Sequence, residues 1–167
     1  MSDFLYWWPA LFVPFMWILV CLIISRVGGW ALLAKSYPAK DATVLDSETW
    51  RFQSIQTRWA TNYGNCVTVK TNSLGLGLSV LWLLRPGHPP LLIPWADITI
   101  HRVIRSRFFP SLVEFKFRSE PSVPVRLSNK LFLKILNSSD RYYPELRPIS
   151  LQLDISSSKE APKTSHF

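Results

Sequence analysis

The chain has 167 residues, of which 48% are hydrophobic and only 18% charged, with a formal net charge of +8 and a pI near 9.8. That length accommodates one domain of ordinary size with a short appendage and excludes two full domains, while the positive balance favours an anionic neighbour such as a lipid surface, nucleic acid or an acidic protein. With only Cys21 and Cys66, a disulfide framework and a CxxC metal or redox motif are both excluded.

In chain order, the first element is the run FLYWWPALFVPFMWILVCLII from Phe4 to Ile24, with no charge between Asp3 and Arg26. About 20 apolar residues at roughly 1.5 Å per residue cross a hydrocarbon core of roughly 30 Å. Tyr6, Trp7 and Trp8 near one end and Trp30 beyond the other suit the two membrane interfaces. The run predicts a single transmembrane helix over residues 4–24. A cleavable signal peptide needs a basic leader and a small-residue cleavage site, whereas the chain has Met-Ser-Asp before the run and SRVGGW after it. Pro9 and Pro14 lie inside the span, where membrane helices tolerate them. Arg26, Lys35 and Lys40 follow the span and no basic residue precedes it. The positive-inside rule then puts the N-terminus outside and the C-terminal domain in the cytoplasm.

Residues 25–43 read as a juxtamembrane segment and linker. Trp30, Leu33, Ala34 and Tyr37 have helical spacing, so WALLAKSY is expected to form an amphipathic turn. It would lie on the membrane interface as a hinge before Pro38.

Beyond Asp41 the pattern changes to short β-branched and aromatic blocks. TWRFQSIQTRW from Thr49 alternates through Trp50, Phe52 and Ser54, YGN reads as a connection, and CVTVKT as the next strand. Asn72-Ser73-Leu74-Gly75 is a hairpin turn with Gly75 suited to positive φ, and LGLSVLWLL is a strand covered on both faces. After LLIPW come ITIHRVIRSRFF and SLVEFKFRS; in the latter Val113, Phe115 and Phe117 alternate with Glu114, Lys116 and Arg118. VPVRL at Val123 completes about seven strands. Ser128 is an N-cap for SNKLFLKILNSS, whose Leu131, Phe132, Ile135 and Leu136 form one apolar stripe. Residues 140–154 are an extension, and 155–167 a polar, disordered tail.

The expected fold class is thus an N-terminal transmembrane helix followed by a mainly antiparallel β domain, a small barrel or sandwich closed by one C-terminal helix. Over residues 44–139 the element order, the turn NSLGL and the helix start LSNKLFLKIL resemble the pleckstrin-homology-like fold, including its GRAM variants. The resemblance implies a binding or scaffolding module for phosphoinositides, peptides or partner proteins, usually without catalysis. In members that bind phosphoinositides a basic pair lies in the first hairpin; the corresponding RWATNYGN offers only Arg58.

Two candidate surfaces stand out. Arg102, Arg105, Arg107, Lys116 and Arg118 gather on one predicted hairpin with Phe108 and Phe109 at its tip, a pattern suited to an anionic bilayer at about 1 kcal/mol per basic residue. RPGHPPLLIPW, residues 85–95, reads as a rigid corner between strands, with Arg85 and His88 as an exposed partner contact. No second ligand accompanies His88 at metal-binding spacing, and HExxH, GxSxG, P-loop and GxGxxG motifs are missing, so neither metal, cofactor nor catalytic residues are expected. Without helix-turn-helix, zinc-finger or RNP patterns, nucleic acid is not an expected partner. The sequence favours a membrane-anchored interaction or scaffolding module for a protein partner or anionic lipid. The alternative is a small accessory subunit or assembly factor of a larger membrane complex, with a membrane-bound enzyme ranking below both.

Overall fold

The uncharged N-terminal run forms one helix, α1 (Asp3–Val27), apolar around its whole circumference rather than along one face. In this computed structural model residues 3–39, 48–104 and 111–139 are described, with side chains from Leu11 onward. Between Leu11 and Val27 only Cys21 and Ser25 are buried; the other residues of this stretch are exposed, although Trp17 and Leu22 also meet residues 83 and 87. The helix stops at Gly28-Gly29, where the Gly28 amide still bonds to the Ile24 carbonyl at 2.8 Å and Gly29 takes φ 82°. A side chain at Gly29 would both oppose that left-handed backbone and put its Cβ 2.8 Å from the Val123 methyls. The chain therefore bends sharply, by 70°, into α2 (Trp30–Ser36).

This second helix corrects the expectation of a hinge lying on the membrane. Trp30 and Leu33 are 0% exposed and belong, with Tyr37, to the core of the β domain. The helix is amphipathic as its spacing predicts, but its apolar face meets protein. Burial of an indole and a leucine inside a closed core outweighs partial immersion at an interface, because the core removes nearly all of their surface from water.

Seven strands follow: β1 (Glu48–Gln56), β2 (Asn62–Thr71), β3 (Gly75–Val80), β4 (Leu91–Pro94), β5 (Ile98–Ile104), β6 (Leu112–Phe117) and β7 (Val125–Ser128). They form one antiparallel sheet in the order β4-β3-β2-β1-β7-β6-β5, curled into a half-barrel. The closing helix α3 (Asn129–Ser139) starts where expected, with the Leu131 amide donating to Ser128 Oγ at 3.3 Å. Its predicted stripe, Leu131, Phe132, Ile135 and Leu136, is buried against the sheet.

A half-barrel leaves two edge strands, here β4 and β5, and the exit of α2 ties them together. On the β4 side the Leu92 amide donates to the Tyr37 carbonyl at 3.2 Å and Pro38 bridges Leu91. On the β5 side the Tyr37 hydroxyl donates to Asp97 Oδ2 at 3.0 Å and accepts from the Ser119 amide at 3.1 Å. Residues 30–38 are thus part of the domain rather than a linker leading to it. Pro38 and the Tyr37 carbonyl cover part of the β4 edge, which would otherwise present unpaired backbone groups, while the Tyr37 side chain pins the start of β5 and the end of β6.

Three local readings also change. Residues 63–65 lie inside β2 rather than in a connection, and Phe52 is turned out to solvent because β1 bulges there with φ 55°. The strand expected over LGLSVLWLL ends at Val80; Trp82–Leu84 form a single 3-10 turn. Gly75 has no positive φ; a Cβ there would lie 2.1 Å from the Ile93 carbonyl oxygen, so glycine is required by the close approach of β4. The turn itself is built as expected, Asn72 Oδ1 accepting from the Leu74 and Gly75 amides, both at 2.9 Å.

Candidate interaction surface

The connection from β3 to β4 contains the corner RPGHPP, and its chemistry is internal. The His88 amide donates to the Arg85 carbonyl at 2.8 Å, closing a turn with Gly87 at φ 74°, as a type II turn requires. His88 is 2% exposed, which corrects its expected role as a surface contact; Arg85 is exposed. Its Nδ1 lies 3.0 Å from the Pro86 carbonyl, which can only accept, so Nδ1 carries the proton. Nε2 then accepts from the Tyr63 hydroxyl at 3.0 Å. Burial lowers the His88 pKa from its ordinary value, against the Pro86 and Leu84 carbonyls that raise it. Burial also raises that of Tyr63, with the neighbouring Cys66 acting in the same direction. Both groups are held neutral, and Trp30 packs its ring against both, with its Nε1 donating to the Pro89 carbonyl at 2.9 Å. The histidine is a joint between α2, β2 and the corner.

The same connection runs back along α1. Trp17 Nε1 donates to the Leu83 carbonyl at 3.0 Å, and the Ser25 hydroxyl donates to the Gly87 carbonyl. Trp17, Cys21 and Ser25 stand four residues apart and so share one face of the helix. A Cβ added to Gly87 would lie 3.0 Å from Leu22 Cδ2 and 3.2 Å from Ser25 Cβ, so the corner is packed directly on the helix. Ahead of it, Leu81, Trp82 and Leu83 form a tip with exposures of 39, 74 and 47%. These residues were expected inside a strand. The signal against that reading was present: a run of nine residues exceeds what the short partner strand LLIP can pair.

Beside the tip, a groove of about 620 Å³ runs over the outer face of β1 to β3, lined by Arg51, Phe52, Cys66, Lys70, Leu81 and Trp82, among others. Arg51 and Lys70 make no ion pair among the described residues. Sequence reasoning missed this grouping because its members come from three strands and a bulge.

The predicted basic hairpin is only partly basic in effect. Across β5, β6 and β7, Arg102, Glu114 and Arg126 stand in one row. Glu114, 3% exposed, accepts from Arg126 Nε at 2.7 Å and from an Arg102 terminal nitrogen at 3.3 Å. Burial raises the Glu114 pKa, but the hydrogen bonds and charges of Arg126 and Arg102 outweigh it, and the carboxyl is held below its ordinary value. Lys116 is half-buried and Arg118 exposed; Arg105, Arg107, Phe108 and Phe109 lie outside the described residues. Among the described residues no three His, Cys, Asp or Glu side chains converge as a metal site would require.

No protein-family model matches the chain, and no curated protein matches it either. Among the described residues no single helix is long and apolar enough to cross a membrane; Leu11–Val27 and Trp30–Ser36 reach that measure only together, across their bend.

Proposed function

We propose that the protein is a membrane-anchored, non-catalytic interaction module, with α1 in the bilayer and a pleckstrin-homology-like β domain held against the cytoplasmic surface, where it binds anionic lipid. The observation that carries this reading is the outward-facing apolar surface of α1 between Leu11 and Val27, continuous with the exposed apolar tip at Leu81–Leu83. Surfaces of that size on a soluble chain call for an apolar partner phase. Arg26 in the last turn of α1 and Lys35 in α2 are both exposed, which supports the orientation. The groove supports the choice of lipid over protein: Arg51 and Lys70 offer charge to a phosphate while Phe52 and Trp82 cover acyl or glycerol carbons. Lys70 lies four residues along β2 from Cys66, about 13 Å further from the tip, at a reach suited to headgroups.

The test uses the full chain in mixed phosphatidylcholine–phosphatidylglycerol vesicles, with spin-labelled versions of each lipid to measure which is immobilised by the protein. Preferential immobilisation of phosphatidylglycerol, lost in the double variant Arg51→Glu/Lys70→Glu, is the expected result. Equal immobilisation of both lipids by the unaltered protein would remove the lipid-binding assignment, and release of the chain by alkaline carbonate would remove the anchoring.

A further inference from the structure

The hydrogen bond between Trp17 and Leu83 fixes how deep the β domain sits. Asp3 and Arg26, the charges that bound the apolar run, are 23 residues apart, or about 35 Å of helix, against a hydrocarbon core of roughly 30 Å. Trp17 is 14 residues from Asp3 and nine from Arg26, about 21 and 14 Å along the axis. Holding both charges outside the core therefore leaves Trp17 about 9 to 14 Å inside it, on the side of the β domain. A helix that left Leu83 in water would keep only about 21 Å for the span, too little to cross.

Resting on the anchoring just proposed, we infer that Leu81–Leu83 is a second membrane-inserted element, a wedge that enters the acyl chains beside α1. Its side chains fit that medium, being apolar and exposed, Trp82 most of all. Four of its six backbone polar groups fit as well, since non-helical chain at membrane depth needs such groups satisfied; the Trp82 and Leu83 amides have no acceptor among the described residues. The carbonyls of Leu81, Trp82 and Leu83 accept from the Leu84 amide at 2.9 Å, the Arg85 amide at 3.2 Å and Trp17 Nε1 at 3.0 Å. The Leu81 amide donates to the Cys66 carbonyl at 2.8 Å. Arg85 stands between the level of Trp17 and that of Ser25, from which a long side chain extends its guanidinium back to the phosphates. The wedge thus gives Arg85 a lipid phosphate as its contact.

The experiment places an environment-sensitive fluorescent amino acid at Trp82, at Ile18 of α1 or at Ser73, which is exposed at the other end of β3. Each full-length protein is reconstituted in phosphatidylcholine–phosphatidylglycerol vesicles and quenched either by acyl-chain nitroxide or by aqueous iodide. The label at Trp82 should follow Ile18, blue-shifted, quenched by nitroxide and at least about fivefold less sensitive to iodide than Ser73. If Ile18 is in lipid while Trp82 is quenched by iodide as strongly as Ser73, the wedge is overturned and the anchor stands. If Ile18 itself is open to iodide, anchor and wedge fall together. Near-UV circular dichroism confirms that each labelled protein keeps its fold, and the same label at Leu83 provides an independent second reading of depth.

Discussion

Replacing Leu33 by alanine tests whether α2 belongs to the domain or to the membrane surface. Leu33 is 0% exposed, whereas its neighbour Leu32, about 100° round the helix, is 37% exposed. Leu33→Ala deletes three carbon groups at about 0.8 kcal/mol each, and the cavity left in a core that includes Trp30, Tyr37 and the inner faces of the sheet carries the loss to about 3–4 kcal/mol. With a urea dependence of about 2 kcal/mol per molar, the unfolding midpoint should fall by about 1.5–2 M. Leu32→Ala should cost about 1 kcal/mol or less, since its side chain already meets solvent. Unfolding of the full chain in non-ionic detergent, followed by near-UV circular dichroism, reads both. A midpoint unchanged by Leu33→Ala, together with weaker adsorption to bilayers, would refute the core assignment, because a helix lying on the membrane loses lipid contact rather than domain stability.

Acid should loosen the joint at His88. Its folded pKa lies below the unfolded value of about 6.5, so the folded state binds fewer protons; stability is complete above that value and declines as pH falls toward the lowered one. The thermal midpoint should therefore drop between about pH 7 and 5, a slope that His88→Gln removes while the Tyr63→Phe variant retains most of it. Glu114→Gln should destabilise the domain by about 1–3 kcal/mol by leaving two guanidiniums beside a neutral amide, measured by the same urea titration. Because the Glu114 carboxyl is held below its usual range, its contribution is present above about pH 4 and lost as pH falls below it. The variant should be flatter than the parent across that acid range.

Much of the architecture follows from local chemistry that any reader of the chain can apply. Uniform apolarity and two flanking charges define α1, period-two alternation in LVEFKF defines β6, and Ser128 followed by the Leu131/Phe132/Ile135/Leu136 stripe defines α3. The candidate surfaces were less legible. The basic hairpin looked like an unopposed charged patch because linear sequence does not show that Glu114 lies between Arg102 and Arg126 on three adjacent strands. His88 looked exposed because polar residues beside Pro and Gly usually are, yet Tyr63 and Trp30, each more than twenty residues away in sequence, close over it.

The sequence by itself determined the order of helices and strands, though not all of their ends, since propensity, period and capping act over a few residues. Only the tertiary structure decided what each apolar face is buried against. The face of α2 meets the β core, the strand past Val80 breaks into an exposed tip, and the corner at Gly87 packs on α1. Hydrophobic burial carries no direction of its own. The partner of an apolar face is therefore chosen by the geometry of the whole chain: here a 70° elbow at two glycines and a half-barrel whose open edges needed a tyrosine to join them.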